Sequence, residues 1–480
     1  MNPIIPLLFL FGYFGLLFFI SRKTSKSTQK DAFFTGERNS PWFLVAFGMI
    51  GASLSGVTFV SVPGEVNQSY FYYMQVVVGY AIGYAVIATV LLPLYYKLNL
   101  ISIYSYLENR FGNYSYKTGA VFFLISRLLG SSIRVLLAAG VLQFILFDAL
   151  GIPFVITVFL TVLLIWLYTR IGGIKTIVWT DTLQTAFMLL AVILTLAYLL
   201  SDLDFNSAGG LLEYFKNEPR FTFMDTDWRS GTFFIKQIVS GAFITIVMTG
   251  LDQDMMQKNL TCRSLSAARK NMTWFTVILV IVNFLFLSLG LLLFVYAEQH
   301  GIELPSRGDE VFPFLAMNHF PAFAGILFIL GITAAAYSSA DSTLTALTTS
   351  FCYDILNFEQ RFPAEKQEKI RKQIHFMFSM LMFLLIILFR WMNDQSIIKT
   401  VLTVAGYTYG PLLGLFAFGL VTQLKVKEKF VPICAVHAPV LSYVISQNSQ
   451  NWFWGYSFGF EILLVNGLLM FLGLWLIREK

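Results

Sequence analysis

Gly48-Met49-Ile50-Gly51-Ala52-Ser53-Leu54-Ser55-Gly56, continuing through Thr58 to Pro63-Gly64, is the stretch on which the reading of this chain turns. It is apolar enough to lie in a bilayer, yet it packs Gly51, Ser53, Ser55 and Gly56 into the middle of a span. A transmembrane helix satisfies its own backbone, and unwinding at membrane depth is tolerated only where it faces protein or a water-filled cavity. A span this poor in bulky side chains is a candidate break, and a break points at a binding site. The same residues also suit close packing between helices, because small side chains are enriched at helix contacts in membranes.

Outward from this span the composition is that of a membrane protein. Of 480 residues, 57% are apolar and 12% charged, about half the roughly 25% charged residues of soluble domains. Stretches long enough to cross a hydrocarbon core of about 30 Å predict helical spans at 3–21, 42–66, 72–96, 118–146, 152–169, 176–200, 233–251, 271–297, 321–350, 373–390, 396–422, 430–446 and 453–476. The first, Pro3 to Ile20, has no Lys or Arg before it and no small-residue cleavage site after it, so it reads as an uncleaved span. The intervening loops with room for regulation, Ser207–Trp228, Ile302–Asn318 and Asp354–Lys372, carry no motif for a protein partner.

Charge placement gives the orientation. Of the 33 Lys and Arg, 24 fall on one side of these spans: five before residue 40, among them Arg22, Lys23, Lys26, Lys30 and Arg38, three at 97–117, two at 170–175, four at 258–270, five at 361–372, three at 425–429 and two at the end. Positive residues mark the cytoplasmic side, which puts the N-terminus outside and the C-terminus inside a cell membrane. The net charge of +6 is then a topology signal and not a nucleic-acid footprint. Three cysteines and four scattered histidines form neither a disulfide framework nor the spacing of a metal or nucleophile site. No enzyme chemistry is legible.

A second weak point lies five spans later, at Ser240-Gly241 and Thr249-Gly250. Paired interrupted helices in matching halves point to a transporter site built on inverted repeats. Polar residues held at depth agree. The ninth span carries Ala335-Ala336-Tyr337-Ser338-Ser339-Ala340-Asp341-Ser342-Thr343, in which Ala335, Ser338, Ser339 and Ser342 share one helical face. Sodium, a hard cation, prefers oxygen ligands, and this stripe opposite an unwound Gly51–Leu54 would supply them. Asp181 and Asp341 also lie within spans, where a bare charge costs at least about 2.5–3.5 kcal/mol. Each needs a partner or an ion, although Asp181 also suits an interfacial position and Asp341 a structural role. Arg127 and Arg134 lie seven residues apart on nearly one face of the fourth span. A guanidinium suits a carboxylate, so Arg134 is read either as a binder of an anionic solute or as the neutraliser of Asp181 or Asp341.

These residues resemble the sodium:solute symporter family, whose members carry glucose, proline, pantothenate, sialic acid or iodide. The resemblance rests on Gly172-Gly173-Ile174-Lys175, Trp179-Thr180-Asp181 with Gln184, Gly250-Leu251-Asp252-Gln253 with Gln257-Lys258, Tyr409-Gly410-Pro411 with Gly414, Ser338-Ser339 and Pro63-Gly64. It implies an all-α, LeuT-like fold: an extra N-terminal helix (3–21), a first five-helix repeat (42–200), an inverted second repeat (233–422) and two further helices (430–476). It also implies sodium as coupling ion, held by carbonyls of Gly51, Leu54 and Ala335 and hydroxyls of Ser338 and Ser339. A second sodium site would use Asp181, Asp341 and Ser342, with Asp341 departing from the family's hydroxyl. Ser53, Ser55, Thr58 and Arg134 fall where sialic acid-transporting members bind their solute, which favours a sugar acid. A neutral sugar, an amino acid or another carboxylate, and a sensor or channel on the same spans, are the alternatives.

Overall fold

The computed structural model describes residues 4–24, 38–203, 208–392 and 397–479, with the side chains of 4, 171, 172, 175, 208, 209, 211, 212, 359, 364, 397 and 398 left undescribed. Lys26, Lys30 and Ser207 lie outside the described residues. Within them the chain is all-helical, with three isolated β-bridges and no strand. Eight helices are long and apolar enough to cross a membrane, or up to eleven if each of three bent pairs counts as one span. Two shorter apolar helices, Phe154–Arg170 and Ile462–Leu476, accompany them.

The three bends organise the fold. Helices α1 (Ile4–Thr24) and α2 (Trp42–Ser53) are followed by α3 (Gly56–Ser69), which departs from α2 by 57°. The break is narrower than expected. Gly51 stays in the last turn of α2, and the residues that leave helical geometry are Leu54 (φ −87°, ψ 70°) and the extended Ser55 (φ −65°, ψ 176°). Leu54 N–H still donates to Ile50 C=O at 2.7 Å. A helix leaves its last carbonyls without intrahelical partners, so the oxygens from Gly51 to Leu54 are the ones released.

Next come α4 (Tyr73–Val86, prolonged to Lys97), α5 (Asn113–Leu142), α6 (Phe154–Arg170) and α7 (Thr176–Asp202), the last two meeting at Gly173 (φ 61°, ψ −168°), a geometry that disfavours a Cβ. The second bend, 70°, separates α8 (Phe234–Gly250) from α9 (Gln253–Asn259). It follows Gly250 as expected, but Ser240-Gly241 remains helical. Those small residues serve packing: a Cβ on Gly241 would sit 2.3 Å from Val76 C=O, and one on Gly79 would sit 2.1 Å from Ile238 C=O. Small side chains at 79, 83 and 241 thus let α4 and α8 approach backbone to backbone.

The chain continues through α10 (Leu265–Gln299), α11 (Ala322–Ser350), α12 (Ala364–Met392), the third bent pair α13 (Ile397–Thr408) and α14 (Gly410–Val421), then α15 (Val431–Gln447) and α16 (Ile462–Leu476). All three segments read as loops are partly helical, at Ala208–Asn217, at Gly308–Asn318 and from Ala364 onward. Helix α11 is buried along nearly its whole length and lies against α6 and α7, with α2 packed on α7. A helix buried all round can keep serines and an aspartate only if neighbours satisfy them, and the partners follow.

Candidate functional site

The end of α2, the start of α7 and the middle of α11 converge. Ser338 Oγ donates to Asp181 Oδ1 at 2.7 Å, and both residues are fully buried. The same hydroxyl faces Gly51, where an added Cβ would lie 3.1 Å from Ser338 Oγ and 2.3 Å from Thr185 Oγ1. A hydroxyl has one proton and two lone pairs. With its proton committed to a carboxylate, Ser338 keeps its lone pairs for a cation, and the carboxylate orients that ligand. Ala335 and Ser339 share this buried face of α11, and Ser339 Oγ accepts from Arg134 at 3.5 Å.

Asp181 is fully buried within the protein. Its Oδ2 receives the ammonium of Lys258 at 2.7 Å, with Lys258 only 1% exposed. Sequence reading had counted Lys258 among the loop charges after the seventh span, because that span was ended at 251. The bend carries the chain back into the protein instead, and Asp252, Asp254 and Lys258 are all buried. Asp252 caps α9 by accepting from the N–H of Asp254 (3.0 Å) and Met255 (3.3 Å), a reason for helix to resume there. Its other oxygen accepts from Tyr409 OH at 2.6 Å and lies 3.7 Å from Arg127. Arg127 also pairs with Asp254, whose Oδ2 accepts from Ser342 Oγ at 3.1 Å.

Neither arginine neutralises Asp181 or Asp341, the pairing the sequence left open. Arg127 belongs to Asp252 and Asp254, and among the described residues no carboxylate pairs with Arg134. Asp341 accepts from Tyr168 OH at 2.9 Å and from the Ser342 N–H. Asp252, Asp254, Lys258, Tyr409 and Tyr168 were missed as partners. The available signal was the density of ionisable groups directly after Gly250, with Asp254 and Lys258 at i, i+4 spacing.

Next to this network lies a cavity of about 90 Å³ whose lining includes Ser53, Leu54, Ser55, Thr58, Arg134, Tyr73, Thr249 and Asn283. It takes in the solute residues expected from sequence. Tyr73 and Leu402 also line a second cavity of about 340 Å³, where Lys399 and Glu65 form an ion pair at 3.0 Å. The smaller cavity and the larger one thus share Tyr73 and Leu402 in their walls.

A model of the sodium:solute symporter family matches residues 33–428. The chain belongs to the sodium:solute symporter family. Among curated relatives, the sodium/sialic acid symporter NanT of Aliivibrio fischeri is 25% identical over 96% of this chain and 91% of its own length. The sodium/sialic acid symporter SiaT of Proteus mirabilis is 25% identical over 86% and 83%, and the human sodium/iodide cotransporter 25% identical over 88% and 66%. A solved structure of a Na+-coupled sialic acid symporter, substrate-bound and outward-open, superposes with a TM-score of 0.82 over 99% of both chains at 22% identity, which fixes the fold. This symporter is therefore a multi-pass membrane protein that couples a small solute to sodium.

Proposed function

We propose that this symporter carries a sugar acid, sialic acid being the foremost candidate, inward with sodium by alternating access. One observation carries the choice of an acid: Arg134 reaches the hydroxyl-bearing cavity, and among the described residues no carboxylate pairs with it. An unpaired guanidinium at membrane depth is costly and suits a bidentate carboxylate. Ser53, Ser55 and Thr58 supply further hydrogen bonds to that anion. Two curated relatives named as sialic acid symporters support the reading.

Sodium is assigned to the carbonyls of Gly51, Leu54 and Ala335 and the hydroxyls of Ser338 and Ser339. It would tie the broken α2–α3 span to α11, and the Arg134–Ser339 contact makes the sodium and solute sites neighbours. The cavity of about 90 Å³ is below the roughly 300–1,000 Å³ of small-molecule pockets. Solute entry therefore requires the helices around Tyr73 and Leu402 to separate.

The long helices, the bent pairs and the two shorter apolar helices together support thirteen spans, N-terminus outside and C-terminus inside. The breaks at 54–55 and 251–252, five spans apart, support inverted repeats over 42–200 and 233–422. In proteoliposomes, Arg134→Ala should raise the half-saturating concentration of labelled sialic acid far more than that of an uncharged analogue. Equal losses for both would return Arg134 to a structural role.

A further inference from the structure

We infer that the Lys258 ammonium is a tethered counter-cation at Asp181, occupying the position of a second transported sodium, so that the cycle moves one sodium. This rests on the sodium-coupled reading above and fixes its stoichiometry.

The argument starts from the buried ion pairs. Four carboxylates, Asp181, Asp252, Asp254 and Asp341, are fully or almost fully buried around the middle of α11. Two cations pair with them: Arg127 with Asp252 and Asp254, and Lys258 with Asp181, while Arg134, among the described residues, hydrogen-bonds only to the Ser339 hydroxyl and stays available to the solute. Among the described residues Asp341 alone of the four has no Lys or Arg within ion-pair distance, and it stands one helical turn from the Ser338–Ser339 pair.

Geometry puts Lys258 where a second ion would go. Asp181 presents Oδ1 to a hydroxyl and Oδ2 to the ammonium at 2.7 Å, so both oxygens are engaged. Asp254 Oδ1, buried without a hydrogen-bond partner, lies 3.9 Å from the same ammonium. An ammonium is a compact, point-like cation that accepts oxygen neighbours much as sodium does. Unlike sodium it is covalently held on α9 and cannot leave on the inner side. Transport of a monoanion with one sodium would then be electroneutral and insensitive to membrane voltage.

The test counts sodium. Radioactive sodium binding to the purified full-length protein in nanodiscs, without solute, should give one ion per chain. Lys258→Gln uncovers Asp181 and should bind two, Lys258→Gln with Asp181→Asn should return to one, and Lys258→Arg, which restores the charge, should bind one. A protein that merely needed Lys258 for folding would lose binding in Lys258→Gln, and Lys258→Arg would not change the count. Two ions in the wild type, or an unchanged count of one in folded Lys258→Gln, overturns the proposal. A wild-type count of none with one in Lys258→Gln would keep the tethered cation and overturn the Gly51–Ser338 sodium site instead.

Discussion

Substituting Gly51 by alanine should weaken sodium coupling through geometry alone. The added Cβ would lie 2.3 Å from Thr185 Oγ1 and 3.1 Å from Ser338 Oγ, about 1 Å inside ordinary van der Waals contact for the first pair. Thr185 has little room to yield, because its hydroxyl donates to Asp181 C=O at 2.7 Å within α7. Overpacking of this kind costs about 1–3 kcal/mol. If sodium binding needs the end of α2 seated against Thr185 of α7 and Ser338 of α11, that strain falls on the bound state, and the half-saturating sodium concentration rises roughly 5- to 140-fold. The assay is solute uptake against sodium concentration in proteoliposomes, with thermal unfolding as a check on folding. Pairing Gly51→Ala with Thr185→Ala removes the clashing oxygen and should recover most of the loss, the non-additivity expected of residues in contact. Unchanged sodium dependence in folded Gly51→Ala would refute the close packing of Gly51 against Thr185 and Ser338 as part of the ion site.

Removing both hydroxyls, in Ser338→Ala with Ser339→Ala, should abolish sodium-dependent uptake while the protein remains folded; normal sodium dependence would sink the site. Arg127→Met leaves Asp252 buried without a cation and Asp254 with only Lys258 at 3.9 Å, a loss of about 3–5 kcal/mol, and should appear as a markedly lower unfolding temperature whether or not sodium is present. A shift seen only with sodium would make Arg127 part of the transport site.

The parts of this account legible in sequence are those set by bulk physical chemistry or by local composition. Span positions follow from hydropathy, and the broken span from glycine and serine where bulky side chains are usual. The α11 stripe follows from helical spacing, which places Ser338 and Ser339 on one face. What was illegible depends on where the chain goes after a break. Hydropathy ends the seventh span at Leu251, so Asp252, Asp254 and Lys258 read as solvated loop charges, whereas a 70° bend folds them into the protein. The partner of Arg127 was hidden for the same reason, since it lies 127 residues away at Asp254. Ser240-Gly241 misled in the opposite direction: small residues there serve α4–α8 packing, and composition alone does not separate a break from a close contact.

The most direct measurement is uptake of the labelled sugar acid into proteoliposomes under an imposed inward sodium gradient with voltage clamped at zero. The account predicts accumulation above the outside concentration by about the sodium ratio, roughly tenfold for a tenfold gradient worth about 1.4 kcal/mol, collapsing when the gradient is dissipated. Equilibration without accumulation, or accumulation unaffected by replacing sodium with potassium, would contradict it.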